Sequence, residues 1–134
     1  MYNGIYDKER FAYLNHTLER WLKLKISGES LGDKLVSAGV KTVAVYGIGG
    51  IGEMVLLDLS ASAVKVVGLI DKRAAEYTNN DYGVPVADIA TYSRNIVGDI
   101  VLVTPEFYFR QIFEELKSAG VPSNKIVSLA MALE

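Results

Sequence analysis

From about residue 41 onward the chain switches repeatedly between two patterns of apolar positions. The runs Thr42-Val43-Ala44-Val45-Tyr46, Val64-Lys65-Val66-Val67-Gly68-Leu69-Ile70 and Ile100-Val101-Leu102-Val103 are rich in β-branched residues. They are too short for helices and suit strands buried on both faces. Between them lie stretches of helical spacing: about Gly50 to Ser60, a brief one from Asp88 to Arg94, and one that carries Phe109, Ile112, Phe113 and Leu116 on a single face. A short helical piece near Ala74 and the polar loop Thr78-Asn79-Asn80-Asp81 lead to Val84-Pro85-Val86, a strand that its proline confines to an edge. Thr104-Pro105-Glu106 has an N-cap residue, a first-turn proline and a first-turn acid in the order that opens a helix. Lys125 to Leu129 supplies a fifth strand.

Regular alternation of strand and helix, joined by right-handed crossovers, implies an α/β fold. The expected architecture is a Rossmann-like parallel sheet of order 3-2-1-4-5, with helices on both faces and a ligand crevice at the carboxyl ends of strands one and four. Ahead of it, Asp7 to about Ile26 places Phe11, Leu14, Leu18, Trp21, Leu22 and Lys25 at helical spacing, which predicts one long amphipathic helix. Ser27-Gly28 ends that helix, a shorter one covers Ser30 to Ala38, and Gly39 stands where a left-handed C-cap is wanted. The expected organisation is therefore a helical extension over residues 1–39 and a nucleotide-binding domain over residues 40–134. The hexapeptides Leu35-Val36-Ser37-Ala38-Gly39-Val40 and Leu116-Lys117-Ser118-Ala119-Gly120-Val121 are nearly identical, and each reads as a helix end, a glycine cap and a strand entry.

Composition narrows the function classes. A chain of 134 residues supports one core, and a formal net charge of -2 gives no general attraction to polyanions, so nucleic acid is not an expected partner. With no cysteine and with His16 as the single histidine, disulfides and thiolate or imidazole metal clusters are excluded. No apolar stretch reaches membrane-spanning length and the amino terminus lacks a signal-peptide pattern, so the expectation is a cytoplasmic protein.

The candidate chemistry lies in Gly47-Ile48-Gly49-Gly50-Ile51-Gly52, which directly follows a strand and opens a helix. Gly47 permits the tight turn, Gly49 lets main-chain amides approach a phosphate, and Gly52 lets the helix pack closely on the strand. The free N–H groups at the helix start, together with its dipole, then favour an anion. Glu53, in the first turn, counts against tight anion binding if its carboxylate folds over those amides. Asp71, at the end of the second strand, stands where a carboxylate would accept hydrogen bonds from a ribose, although a turn or capping role suits it equally. Lys72 and Arg73 could pair with an additional phosphate. Thr104 and Pro105 border the crevice, and Arg110, one turn into the next helix, could reach a phosphate or carboxylate. No catalytic set emerges: His16 has no nucleophilic or acidic partner close by in sequence and reads as structural. No tyrosine has a lysine four residues later, as a reductase acid/base pair would require.

The series Tyr46-Gly47-Ile48-Gly49-Gly50-Ile51-Gly52, Val66-Val67-Gly68-Leu69-Ile70-Asp71, Tyr82-Gly83-Val84-Pro85-Val86 and Asp99-Ile100-Val101-Leu102-Val103 resembles the nucleotide- or CoA-binding domain at the front of CapD-like nucleotide-sugar dehydratases. It is also similar to the amino-terminal domain of PglD-type sugar acyltransferases, which holds a UDP-sugar. The resemblance implies that Gly47, Gly49 and Gly52 shape a phosphate site, that Asp71 borders the nucleoside, and that Arg110 matches an arginine of the acyltransferase-type domains. The dehydratase and acyltransferase catalytic domains have no counterpart here, and the long first helix belongs to neither pattern. The expectation is a module for a small nucleotide ligand, NAD or NADP, with UDP-sugar or CoA as alternatives, accessory or sensory in polysaccharide metabolism. Two further readings stand beside it. One is an NAD(P)-dependent oxidoreductase or epimerase lacking its substrate domain. The other is a non-binding module that forms a homodimer, or joins a partner enzyme domain, through the first helix.

Overall fold

The computed structural model describes residues 4–78, 81–93 and 98–134. In chain order it contains α1 (Gly4–Ile26), α2 (Leu31–Ser37), β1 (Thr42–Tyr46), α3 (Gly50–Ser60), β2 (Lys65–Ile70), β3 (Val86–Ala87), α4 (Ile89–Ser93), β4 (Ile100–Val103), α5 (Phe109–Ser118), β5 (Ile126–Ser128) and α6 (Leu129–Ala132). Of the expected loop from Thr78 to Asp81, Asn79 and Asn80 lie outside the described residues, as does Arg94, the expected end of α4.

All four strand pairings are parallel and the order is β3-β2-β1-β4-β5, the Rossmann-like topology that the alternating pattern predicts. β3, which follows Pro85, is an edge strand, because proline cannot donate to a ladder on both sides. Period-two alternation divides the sheet's side chains between two cores. Val43, Val45, Leu69 and Leu102 face Trp21, Leu31, Leu35, Val55 and Leu59 of the first three helices. Ala44, Tyr46, Ile70, Val101 and Val103 face Tyr92 of α4 and Ile112 and Leu116 of α5. Trp21, Leu31 and Leu35 thus share one cluster with the sheet.

The two echoed hexapeptides adopt the same geometry. Gly39 and Gly120 both have positive φ, the Val40 N–H donates to the Leu35 carbonyl, and the Val121 N–H donates to the Leu116 carbonyl at matching positions.

Two expectations need correction. The buried stripe of α1 runs through Leu14, Thr17, Leu18, Trp21 and Leu24, whereas Leu22 is 61% exposed. The stripe is centred near Leu14, Thr17, Trp21 and Leu24, and Leu22, about 100° around the helix from Trp21, falls on its open side. The helix expected to open at Thr104 begins later, after a single 3₁₀ turn over Glu106–Tyr108, and no side chain caps that turn.

The placement of α1 and α2 rests on one buried carboxylate. Asp58 of α3 accepts from the Trp21 indole Nε1–H at 2.8 Å and from the main-chain amides of Leu31 at 3.1 Å and Gly32 at 3.0 Å. It therefore satisfies first-turn donors of α2 while fixing the far half of α1 against α3. Ser30 completes that helix start with a reciprocal capping box to Asp33.

Candidate nucleotide site

β1 ends at Tyr46 against the neighbouring strands, and the chain must turn sharply to enter α3. Gly47 makes that turn at φ +100°, and a Cβ there would meet Thr104 Oγ1 at 2.6 Å. Only glycine meets both conditions. Gly52 is needed for a different reason: a Cβ would lie 2.1 Å from the Gly47 carbonyl oxygen, so the first turn of α3 rests directly on the turn that precedes it.

The remaining residues of the turn are open. Among the described residues, nothing beyond the adjoining backbone lies within 4 Å of a Cβ built at Gly49 or Gly50. Gly49 is the N-cap of α3 in extended conformation, and no side chain caps the helix. By helix geometry the amides of Gly50, Ile51 and Gly52 have no intrahelical acceptor. They present donors and the positive end of the helix dipole at the carboxyl edge of the sheet. Glu53 does not cover them; its Oε1 accepts from the Tyr82 hydroxyl at 3.3 Å.

The amide of Ile48 is already engaged. Asp71 is 8% exposed; its Oδ2 accepts from Ile48 N–H at 2.8 Å and its Oδ1 from Arg73 N–H at 2.8 Å. The carboxylate ties the glycine turn to the end of β2 and holds its own loop in an Asx turn. Thr104, expected as a helix N-cap, instead donates its hydroxyl to the Tyr46 carbonyl at 2.9 Å, with the Gly47 carbonyl at 3.3 Å. It lies just past the end of β4, beside the end of β1, so a strand-end carbonyl is nearer than any helix amide. Tyr46, on the opposite face, is buried with no hydrogen-bond partner for its hydroxyl. Burial first, then the negative charges of Glu115 and Asp71, push its pKa up to about 12.

Above the turn lies a cavity of about 520 Å³, within the range of small-molecule sites. Its floor is Gly47 to Gly52 with Asp71, one wall is Thr104 to Tyr108 with Leu129, and its roof is the stretch of α1 from Arg10 to Thr17. Roof and wall meet through rings: Tyr13 packs edge-on to Phe107 at 5.7 Å, and the Arg10 guanidinium lies 5.6 Å from the centre of the Tyr108 ring. Glu106, in the wall, accepts from the Ala130 amide at the start of α6, and burial, partly opposed by that bond and by Arg20, raises its pKa.

Residues 39–127 match the family model described as C2185-like, N-terminal. The chain belongs to the C2185-like N-terminal family. No curated protein matches it. Among solved structures it is similar to a protein from Sinorhizobium meliloti 1021 assigned as a myo-inositol dehydrogenase, with 25% identity and a TM-score of 0.49. That similarity covers 66% of this chain and 27% of the other, so the chain spans about a quarter of that protein's length.

In this C2185-like domain, Gly47 to Gly52, Asp71, Thr104 and Pro105 gather at one cavity, whereas Lys72 and Arg110 lie outside its lining. Lys72 Nζ is 3.8 Å from Glu115, Arg73 Nε is 3.9 Å from both Asp71 and Glu76, and Arg110 is exposed on α5. The roof residues Arg10, Phe11, Tyr13 and Thr17 and the wall residue Phe107 escaped the sequence reading. The available signal was aromatic residues crowded at Phe11-Ala12-Tyr13 and at Phe107-Tyr108-Phe109, the latter just past a strand end. His16 is exposed on α1. Among the described residues no helix is long and apolar enough to cross a membrane.

Proposed function

We propose that the domain binds a phosphate-bearing nucleotide at the start of α3 and serves an accessory or sensory role in nucleotide-sugar or polysaccharide metabolism. The observation that carries this reading is an uncapped helix start, with open space beside Gly49 and Gly50, facing a 520 Å³ cavity that no side chain among the described residues plugs. Three main-chain donors at the positive end of a helix suit a phosphate group, and the apolar cavity beyond suits the organic part of the ligand. NAD, NADP, UDP-sugars and CoA are the ligand classes to test. The assignment to polysaccharide metabolism rests on the resemblance of the glycine turn and the strands around it to the dehydratase and acyltransferase domains.

Gly49→Asp tests the site without breaking it. Gly49 already has the extended backbone of an N-cap, at φ -149° and ψ -164°, so aspartate fits there and its carboxylate would bond the free amides itself. The unliganded protein should gain about 0.5 kcal/mol of stability. A ligand held at a hundred times its Kd should stabilise the wild type by about 2.7 kcal/mol and the variant by almost nothing. Thermal shift and titration calorimetry read both effects. Undiminished binding by the variant, or no binding of any of these ligands by the wild type, would overturn the reading.

A further inference from the structure

The cavity is lopsided about the glycine turn. Its wall and roof lie on the β4 side of β1, and on the β2 side it reaches only Asp71. A dinucleotide in this kind of fold spans the crevice, with its pyrophosphate at the turn and one nucleoside on each side. Among the described residues, the hollow on the β2 side, about 550 Å³ between α3 and Val64, Val66, Tyr82 and Val84, is a separate one that shares no residue with this cavity and includes none of the turn glycines. Asp71, the group a ribose would meet there, is buried and holds two main-chain amides. On the β4 side the chamber is roofed in part by α1 and walled by rings, with Phe107 edge-on to both Tyr13 and Tyr108.

Resting on the phosphate reading above, we infer that the site takes a phosphate ester with a single compact aromatic body, in chemical class a mononucleotide. The ring of that ligand lies on the β4 side among Phe11, Phe107 and Tyr108, and dinucleotides are disfavoured. Phosphate at the α3 amides fixes one end, and a flat π-system can stack on the ring faces of the wall whatever its substituents. A second nucleoside would have to lie over Asp71 outside the cavity, or displace α1 from its seat on Phe107 and Tyr108.

The experiment is calorimetric titration of the intact protein with ADP, UDP, NAD and inorganic pyrophosphate, repeated on Phe107→Ala and on Phe11→Ala. Phe11 is 63% exposed, so its removal leaves the core intact even if the Phe107 variant folds poorly. At least one nucleoside diphosphate should bind, with NAD at least about tenfold weaker. Loss of a ring should weaken that nucleotide about tenfold and leave pyrophosphate unchanged, the size expected for one base–aromatic contact. NAD binding as tightly as the nucleoside diphosphates would overturn the inference and leave the phosphate reading standing. Pyrophosphate binding as tightly as they do, or ring variants without effect, would do the same. Failure of every ligand, pyrophosphate included, would remove both.

Discussion

Replacing Asp58 by alanine is the most informative perturbation, because one carboxylate holds three elements. In the variant the Trp21 indole N–H and the amides of Leu31 and Gly32 lose their acceptor together. Hydrogen bonds to a charged group contribute about 1.5–3 kcal/mol each, and a buried donor left alone costs about 1–3 kcal/mol. The three donors share one carboxylate and the Ser30–Asp33 capping box survives, so the three losses do not add fully. A net loss of about 3–5 kcal/mol is expected, against a total stability of about 5–15 kcal/mol for a domain. Asp58→Asn should cost about 2 kcal/mol, because an amide –NH₂ must then face an N–H donor. Trp21 is the only tryptophan, so its fluorescence reports the seating of α1 directly. Urea unfolding followed by that signal and by circular dichroism should show a lower midpoint at unchanged slope for Asp58→Ala, with red-shifted emission before unfolding begins. A loss below about 1 kcal/mol, or native emission unchanged in wavelength, would refute the view that this carboxylate seats α1.

The glycine turn supplies a paired contrast. Gly52→Ala drives a methyl group into the Gly47 carbonyl and should cost about 1–3 kcal/mol, whereas Gly50→Ala enters open space and should be neutral or stabilise by a few tenths of a kcal/mol; equal melting temperatures for the two variants would contradict the close contact. Glu106 provides a pH signature. Its folded pKa is raised above the ordinary 4.5, so the folded state binds the extra proton and this contribution to stability is present below that value and lost as pH rises through the raised pKa. Glu106→Gln keeps an acceptor for the Ala130 amide and should flatten that decline in a series of denaturant melts from pH 4 upward, and an unchanged profile would assign it elsewhere.

The sheet was legible because buried parallel strands write themselves as β-branched runs, and the turn glycines because a strand that must become a helix within three residues has few other solutions. The edge position of β3 followed from Pro85, and the two helix ends from Gly39 and Gly120. What escaped was set by distant contacts. The Trp21–Asp58 bond joins residues 37 apart, and its only trace is one acid inside Met54-Val55-Leu56-Leu57-Asp58-Leu59. Thr104 follows the N-cap rule in sequence, yet the carbonyl it meets belongs to a strand 58 residues away. The position of α1 above the glycine turn has no local signature, since the same stripe of Leu14, Leu18 and Trp21 would serve a dimer as well as a roof.

The contact between Tyr13 and Phe107 joins the beginning of the chain to its last third. During synthesis from the amino end, α1 and the glycine turn emerge early, but their counterpart across the chamber is made only after β4. A fragment ending before that point would lack Phe107, Tyr108 and Leu129 of the chamber and, without Ile112, Leu116, Val121 and Ile126, would leave one face of the sheet bare.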